Sequence, residues 1–80
     1  MRVPRDLSGA DLVKRLGRMG YRVTRQAGSH MRLTSTVLGV HHITIPNHDP
    51  LRLGTLAAIL AGVAAHHALT RDELIQRLFE

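Results

Sequence analysis

The sequence predicts an α+β protein in which helices cover one face of a three-stranded antiparallel sheet. Apolar residues recur at helical spacing near both ends of the chain and alternate with polar residues in the middle. The middle segments are also joined by short connections, which favours an antiparallel meander. The expected order is helix, three strands, helix, with a short extra C-terminal helix. We expect one domain over residues 1–80, because a chain of this length has little room for a second.

The first helix is predicted over residues 9–19. Ser8 and Asp11 have the spacing of a capping box, in which each side chain satisfies a backbone N–H of the other. Gly20 suits the left-handed position that ends many helices. The apolar stripe between these two signals consists of Leu12, Val13, Leu16 and Met19.

Residues 21–45 are predicted to form the three strands. Gly28–Ser29 is a turn between the first two, and Pro46 should end the third strand, Val40–Ile45, because proline has no N–H for the ladder. Period-two alternation directs one set of side chains towards the helices. This inward set consists of Tyr21, Val23, Met31, Leu33, Ile43 and Ile45.

Two helices are predicted in the last third of the chain. Thr55 is expected to cap the first, and Thr70 with Glu73 forms a second capping box before the other. The longest apolar stretch, residues 56–65, is shorter than the roughly 18 residues of a membrane span. We therefore expect no membrane segment.

The charge balance predicts a partner rich in phosphate or carboxylate. Eleven basic residues, ten of them arginine, face six acidic ones, for a net charge of +5. Cysteine is absent, which excludes disulfides and thiolate metal sites. Tyr21 and Phe79 are the only aromatic residues, too few for a base-stacking RNA platform. The chain begins without a secretory signal, and we expect a cytoplasmic protein.

The same alternation predicts a polar sheet face away from the helices. This face is either merely solvated or a phosphate-binding surface with a titratable group at its edge. Its predicted members are Arg22, Thr24, Gln26, His30, Arg32, Thr34, His42 and Thr44.

His30 is the candidate acid–base residue on this face. It follows the Gly28–Ser29 turn, and an imidazole titrates near neutral pH. The adjacent pairs His41–His42 and His66–His67 are poor chelates, because neighbouring side chains diverge in both strands and helices. We expect no metal site and no small-molecule cofactor. His66 and His67 are expected near a helix C-terminus, where positive charge is tolerated.

A series of short motifs adds a resemblance. They are Ser8–Gly9, Gly20–Tyr21, Gly28–Ser29–His30, Ile43–His48 and Gly54–Thr55–Leu56. Together they resemble the HicA toxin family, also called YcfA-like, over about residues 5–80. The resemblance implies a double-stranded-RNA-binding-like α-β-β-β-α fold, and an mRNA interferase silenced by a HicB-like antitoxin. It also implies that His30 is the catalytic residue.

The resulting hypothesis is the toxin of a type II toxin–antitoxin system that cleaves mRNA without a metal. His30 would be the general base, and His48 or His42 the second acid–base group. RNA phosphates would contact Arg22, Arg32, Gly28, Ser29 and Arg52.

Two departures from the family pattern leave other functions open. Ala27 replaces a residue that is often basic in the family, and Ala64–Ala68 resembles an insertion. The alternatives are a non-catalytic nucleic-acid-binding module and an interaction protein of the same fold. An acidic antitoxin is expected to cover the polar sheet face and occlude His30.

Overall fold

The elements follow the predicted order in a computed structural model that describes residues 3–80. The N-terminal helix is followed by a meander of three strands and then by two helices. Their bounds are α1 Gly9–Leu16, a 3₁₀ turn Gly17–Met19, β1 Arg22–Ala27, β2 His30–Ser35, β3 His41–Pro46, α2 Leu53–His66 and α3 Arg71–Phe79.

The predicted signals at both ends of the first helix are confirmed. The Ser8 hydroxyl accepts a hydrogen bond from the Asp11 N–H at 3.0 Å, and the Asp11 carboxylate accepts one from the Ser8 N–H at 3.4 Å. The α-helix itself ends at Leu16, and residues 17–19 tighten into a 3₁₀ turn, a common way to satisfy the last carbonyls. Gly20 then adopts φ 84°, the expected left-handed stop.

The sheet has the order β1-β2-β3, and both pairings are antiparallel. Residues directly opposite one another lie on the same face. The predicted inward residues of β2 and β3 are confirmed, because Met31 lies opposite Ile45 and Leu33 opposite Ile43.

The alternation predicted for β1 is wrong beyond its third residue. The register shifts between Val23 and Arg25, so that Arg25 lies opposite Arg32 and Gln26 opposite Met31. A β-bulge adds one residue to a strand and moves every later side chain to the other face. Gln26 therefore lies on the helix side of the sheet, and Arg25 lies on the polar side.

The bounds of β3 also differ from prediction by one residue. Pro46 is the last residue of the strand and lies opposite His30, instead of terminating the strand before it. β3 is an edge strand, where the missing proline N–H costs no ladder bond. Pairing continues beyond it, since the Asn47 N–H donates to the Ser29 carbonyl at 2.6 Å.

The start of α2 was predicted wrongly, whereas the start of α3 is confirmed. The N-cap of α2 is Arg52, which provides no side-chain bond, so Thr55 lies inside the helix. The buried Leu51, whose N–H donates to the Leu7 carbonyl at 2.8 Å, fixes where this helix begins. The capping box of Thr70 and Glu73 forms at the start of α3.

The core lies between the helices and one face of the sheet. Its fully buried side chains include Tyr21, just before β1, and residues of α1, β2, β3, α2 and α3: Leu12, Leu16, Leu33, Ile45, Leu60, Val63, Leu74 and Leu78. No helix among residues 3–80 is by itself long and apolar enough to span a bilayer; α2 and α3 meet that criterion only jointly, and they are bent by 103°.

Candidate functional site

The open face of the sheet is the side turned away from the core. The strand register and a hydroxyl–hydroxyl contact of 2.9 Å between Thr24 and Thr34 define its membership. Its residues are Arg22, Thr24, Arg25, His30, Arg32, Thr34, His42 and Thr44. All of these side chains are exposed except Thr34, which is half-buried.

This face is basic and lacks compensating acidic residues. Between Leu12 and His48 the chain has six basic residues and no acidic one. Arg25 and Arg32 lie directly opposite each other on neighbouring strands. Like charges in this position destabilise a sheet, by roughly 0.2–1 kcal/mol. An anion between the two guanidinium groups would reverse the sign of that interaction, because arginine binds phosphate oxygens bidentately.

His30 lies at one end of the open face, where it is the first residue of β2. The preceding turn needs Gly28, which has φ 58°, and the imidazole is exposed. Arg32 is two residues further along the same face, about 7 Å by strand geometry. The structure thus places an exposed imidazole next to the paired arginines.

The two candidate partners of His30 lie in different places. His42 is opposite Thr34, about 13 Å along the strand from His30, and its Nδ1 is 2.8 Å from the Thr34 hydroxyl. The backbone next to His48 runs beside the turn, because Asn47 bonds to Ser29. His48 therefore belongs to the His30 end of the sheet, whereas His42 belongs to the other end.

The remaining predicted phosphate contacts are divided between two surfaces. Arg22 is on the open face, but it lies opposite Thr34, at the end remote from His30. Arg52 lies away from this face, at the start of α2. There it lines an open groove of about 970 Å³ together with Arg5 and Arg71.

A cluster of three histidines and a tyrosine lies at the end of the sheet remote from His30. The Tyr21 hydroxyl is 2.6 Å from His41 Nδ1 and 3.1 Å from His67 Nε2. The rings of His41 and His66 stack with centroids 4.4 Å apart. Sequence reasoning treated the adjacent histidines as diverging pairs. It missed that His41 of β3 stacks on His66 at the end of α2 and shares the Tyr21 hydroxyl with His67.

The surroundings of this cluster disfavour positive charge. Burial, followed by the nearby His66 and His42, lowers the pKa of His41. Burial, followed by His66, His41 and Arg77, lowers the pKa of His67. His66 and His67 lie at the C-terminus of α2, as predicted, but the lowered pKa of His67 runs against the expectation that positive charge is tolerated there. Among residues 3–80, no group of three or more histidine, aspartate or glutamate side chains is arranged to hold a metal ion.

Comparison with known protein families gives a match over most of the chain. The sequence model of HicA toxins of bacterial toxin–antitoxin systems matches residues 9–63, from the first residue of α1 into α2. The match covers more than half of the chain and includes the Gly28–Ser29–His30 turn, the open face and His48. No curated protein and no solved structure matches the chain significantly.

Proposed function

Because the chain belongs to the HicA toxin family, a family of toxin–antitoxin toxins, we propose that it is an mRNA interferase with His30 as its general base. The observation that carries this proposal is the exposed imidazole at the start of β2, beside the opposed Arg25 and Arg32. A scissile phosphate bound by the two arginines would lie within reach of His30. The site of action would be the cytoplasm, where mRNA is found.

The proposed reaction uses the 2′-hydroxyl of RNA as the nucleophile. His30 takes the 2′-hydroxyl proton, and the oxygen attacks the adjacent phosphorus. The bond from phosphorus to the 5′-oxygen breaks, which leaves a 2′,3′-cyclic phosphate on one fragment and a 5′-hydroxyl on the other. The arginines stabilise the negative charge that builds up on the phosphoryl oxygens. DNA has no 2′-hydroxyl and is not a substrate for this chemistry.

His48 is the better candidate for the group that protonates the leaving 5′-oxygen. Its backbone lies next to the His30 turn, whereas His42 is about 13 Å away along the sheet. In addition, the His42 Nδ1 is already bonded to Thr34. No step of this scheme requires a metal ion, so we expect cleavage to persist in EDTA.

A HicB-type antitoxin is the partner that the family implies. We propose that an acidic surface of this antitoxin covers the open face. The net charge of +5 attracts such a partner at long range, and covering His30 excludes the substrate without any change in conformation.

A non-catalytic RNA-binding module is the alternative that the same face supports. The opposed arginines would bind phosphate whether or not His30 takes part in chemistry. The two functions differ in one respect, namely whether the imidazole of His30 is needed.

The deciding experiment compares induction of the wild-type chain with His30→Ala, and uses His42→Ala as the matched histidine control. We expect growth arrest from the wild type and from His42→Ala, but not from His30→Ala. With purified protein, His30→Ala should lower the rate of RNA cleavage in EDTA by about 10²–10⁴-fold. An RNA substrate with one 2′-deoxynucleotide at the cleaved position should resist cleavage, because it lacks the attacking 2′-hydroxyl. Equal toxicity of the wild type and His30→Ala would leave the binding module as the function.

A further inference from the structure

A second surface that the proposed chemistry does not use lies where β2 connects to β3. It is a cavity of about 580 Å³, a size typical of ligand sites. Its lining combines apolar side chains, Val37, Leu38 and Leu69, with two arginines, Arg18 and Arg77, and the buried His67. None of the described lining residues is acidic. We call it the loop cavity.

The β2–β3 loop beside this cavity is unusually apolar for an exposed segment. Val37, Leu38 and Val40 are 48%, 71% and 63% exposed. They are three of the five most exposed large hydrophobic residues in the described chain. Contiguous exposed apolar side chains of this kind mark interaction sites in soluble proteins.

Several contacts hold the loop in one position. The buried Ser35 hydroxyl donates to the Met19 carbonyl at 3.3 Å and accepts from the Val37 N–H at 3.2 Å. His66 Nε2 lies 3.2 Å from the carbonyl oxygens of Val37 and Gly39, so it donates to both. A partner would therefore meet a loop that is already ordered, which lowers the entropic cost of binding.

Arg18 at the rim of the cavity is also held in place. Its Nη1 donates to the Leu78 carbonyl at 3.2 Å and to the Arg77 carbonyl at 3.4 Å. These bonds orient the guanidinium but do not neutralise it. With Arg77 beside it, the rim presents two positive charges next to an apolar floor.

The chemistry of the cavity selects among possible occupants. A second copy of this chain would bring the same basic rim and a net charge of +5, so it is repelled. RNA gains little from an aliphatic loop without aromatic rings, because single-stranded bases bind by stacking. A protein segment with carboxylates beside an aliphatic side chain matches both the rim and the floor.

We propose that the loop cavity receives an acidic segment of the HicB-type antitoxin, whose aliphatic side chain packs against Leu38. The identity of this partner rests on the proposed function. The cavity lies near Ser35, about 17 Å along β2 from His30. It would therefore be a separate anchoring point, and RNA bound at His30 does not compete for it.

The test measures binding of the full chain to its HicB-type antitoxin by calorimetry. Leu38→Asn removes the apolar tip, and asparagine tolerates the φ of 57° at this position. Leu53→Asn is the matched control, because Leu53 is 74% exposed but lies at the start of α2. We expect Leu38→Asn to weaken binding by about tenfold or more, the effect of losing one buried aliphatic side chain, and Leu53→Asn to bind like the wild type.

A second variant tests the charged rim. Arg77→Gln should weaken binding at low salt and lose most of that effect at high salt, because exposed charges are screened. RNA cleavage by Leu38→Asn should equal that of the wild type. RNA cleavage is measured separately from antitoxin binding. A wild-type chain that binds the antitoxin through Leu38 but cleaves no RNA would refute the proposed function and leave this inference standing.

Four results with the variants would overturn the inference. They are unchanged antitoxin binding by Leu38→Asn, an equal loss in Leu53→Asn, weaker RNA binding by Leu38→Asn, and a wild-type dimer that Leu38→Asn dissociates. The last two would assign the surface to RNA or to self-association. Failure of the wild-type chain to bind the antitoxin would also overturn it.

Discussion

Replacing Arg25 by glutamine should stabilise the protein and weaken RNA binding at the same time. Arg25 and Arg32 are directly opposite on β1 and β2, and no acidic residue occurs between Leu12 and His48 to compensate their positive charges. Removing one charge should raise the free energy of unfolding by about 0.2–1 kcal/mol. For a domain of this size, that corresponds to an increase of roughly 1–8 °C in Tm.

The loss of RNA affinity should show the signature of one missing phosphate contact. In the His30→Ala background, which prevents cleavage, fluorescence anisotropy with a labelled single-stranded RNA gives the affinity at several salt concentrations. The slope of log K against log salt should become shallower by about 0.7. Gln26→Ala is the control, because Gln26 is the next residue but lies opposite Met31 on the helix side. It should leave the slope unchanged.

Two results would refute this reasoning. An equal change of slope for Arg25→Gln and Gln26→Ala would mean that the bulge does not separate the two side chains. A lower Tm for Arg25→Gln, with an unchanged slope, would mean that Arg25 stabilises the fold and binds no phosphate.

Two further predictions concern stability. Gly9→Ala should lower the free energy of unfolding by about 1–3 kcal/mol, because the new Cβ would overlap the Pro46 carbonyl oxygen. The Cβ of Gly62→Ala would meet no neighbouring atom, and this variant should raise the free energy of unfolding by at most about 1 kcal/mol. Thermal denaturation of both variants checks this. The lowered pKa values of His41 and His67 mean that the unfolded chain binds more protons, so stability should fall as the pH drops below about 6.5. Urea unfolding at several pH values should show a shallower decline for His67→Gln, and an identical decline would contradict the assignment.

The strands show what alternation in a sequence can and cannot establish. In β2 and β3, two apolar residues mark the inward face of each strand, Met31 with Leu33 and Ile43 with Ile45, and they were sufficient to assign that face correctly. In β1 Val23 is the only apolar residue before the terminal Ala27, and neither glycine nor proline marks the bulge after Val23. The prediction therefore placed Gln26 on the open face and overlooked Arg25.

The starts of the helices also differ in whether local sequence or a long-range contact determines them. The capping boxes at Ser8 and Thr70 are local, so four residues of sequence were sufficient to find them. α2 begins where Leu51 is anchored to Leu7, a contact between distant parts of the chain. The histidine cluster was missed for the same reason, since β3 and the end of α2 meet only in the folded protein.

The two ends of the sheet suit different tasks in the proposed toxin. An antitoxin that bound only the open face would compete directly with RNA, and a rising RNA concentration would displace it. If the same antitoxin also occupies the loop cavity, one contact remains when RNA reaches the open face. The second contact then reforms within the complex, at an effective concentration that free RNA must exceed. Because β2 runs rigidly from His30 to Ser35, the two contacts keep a fixed spacing of about 17 Å. Leu38→Asn should therefore make the inhibited complex more sensitive to competing RNA, while the free enzyme cleaves as before.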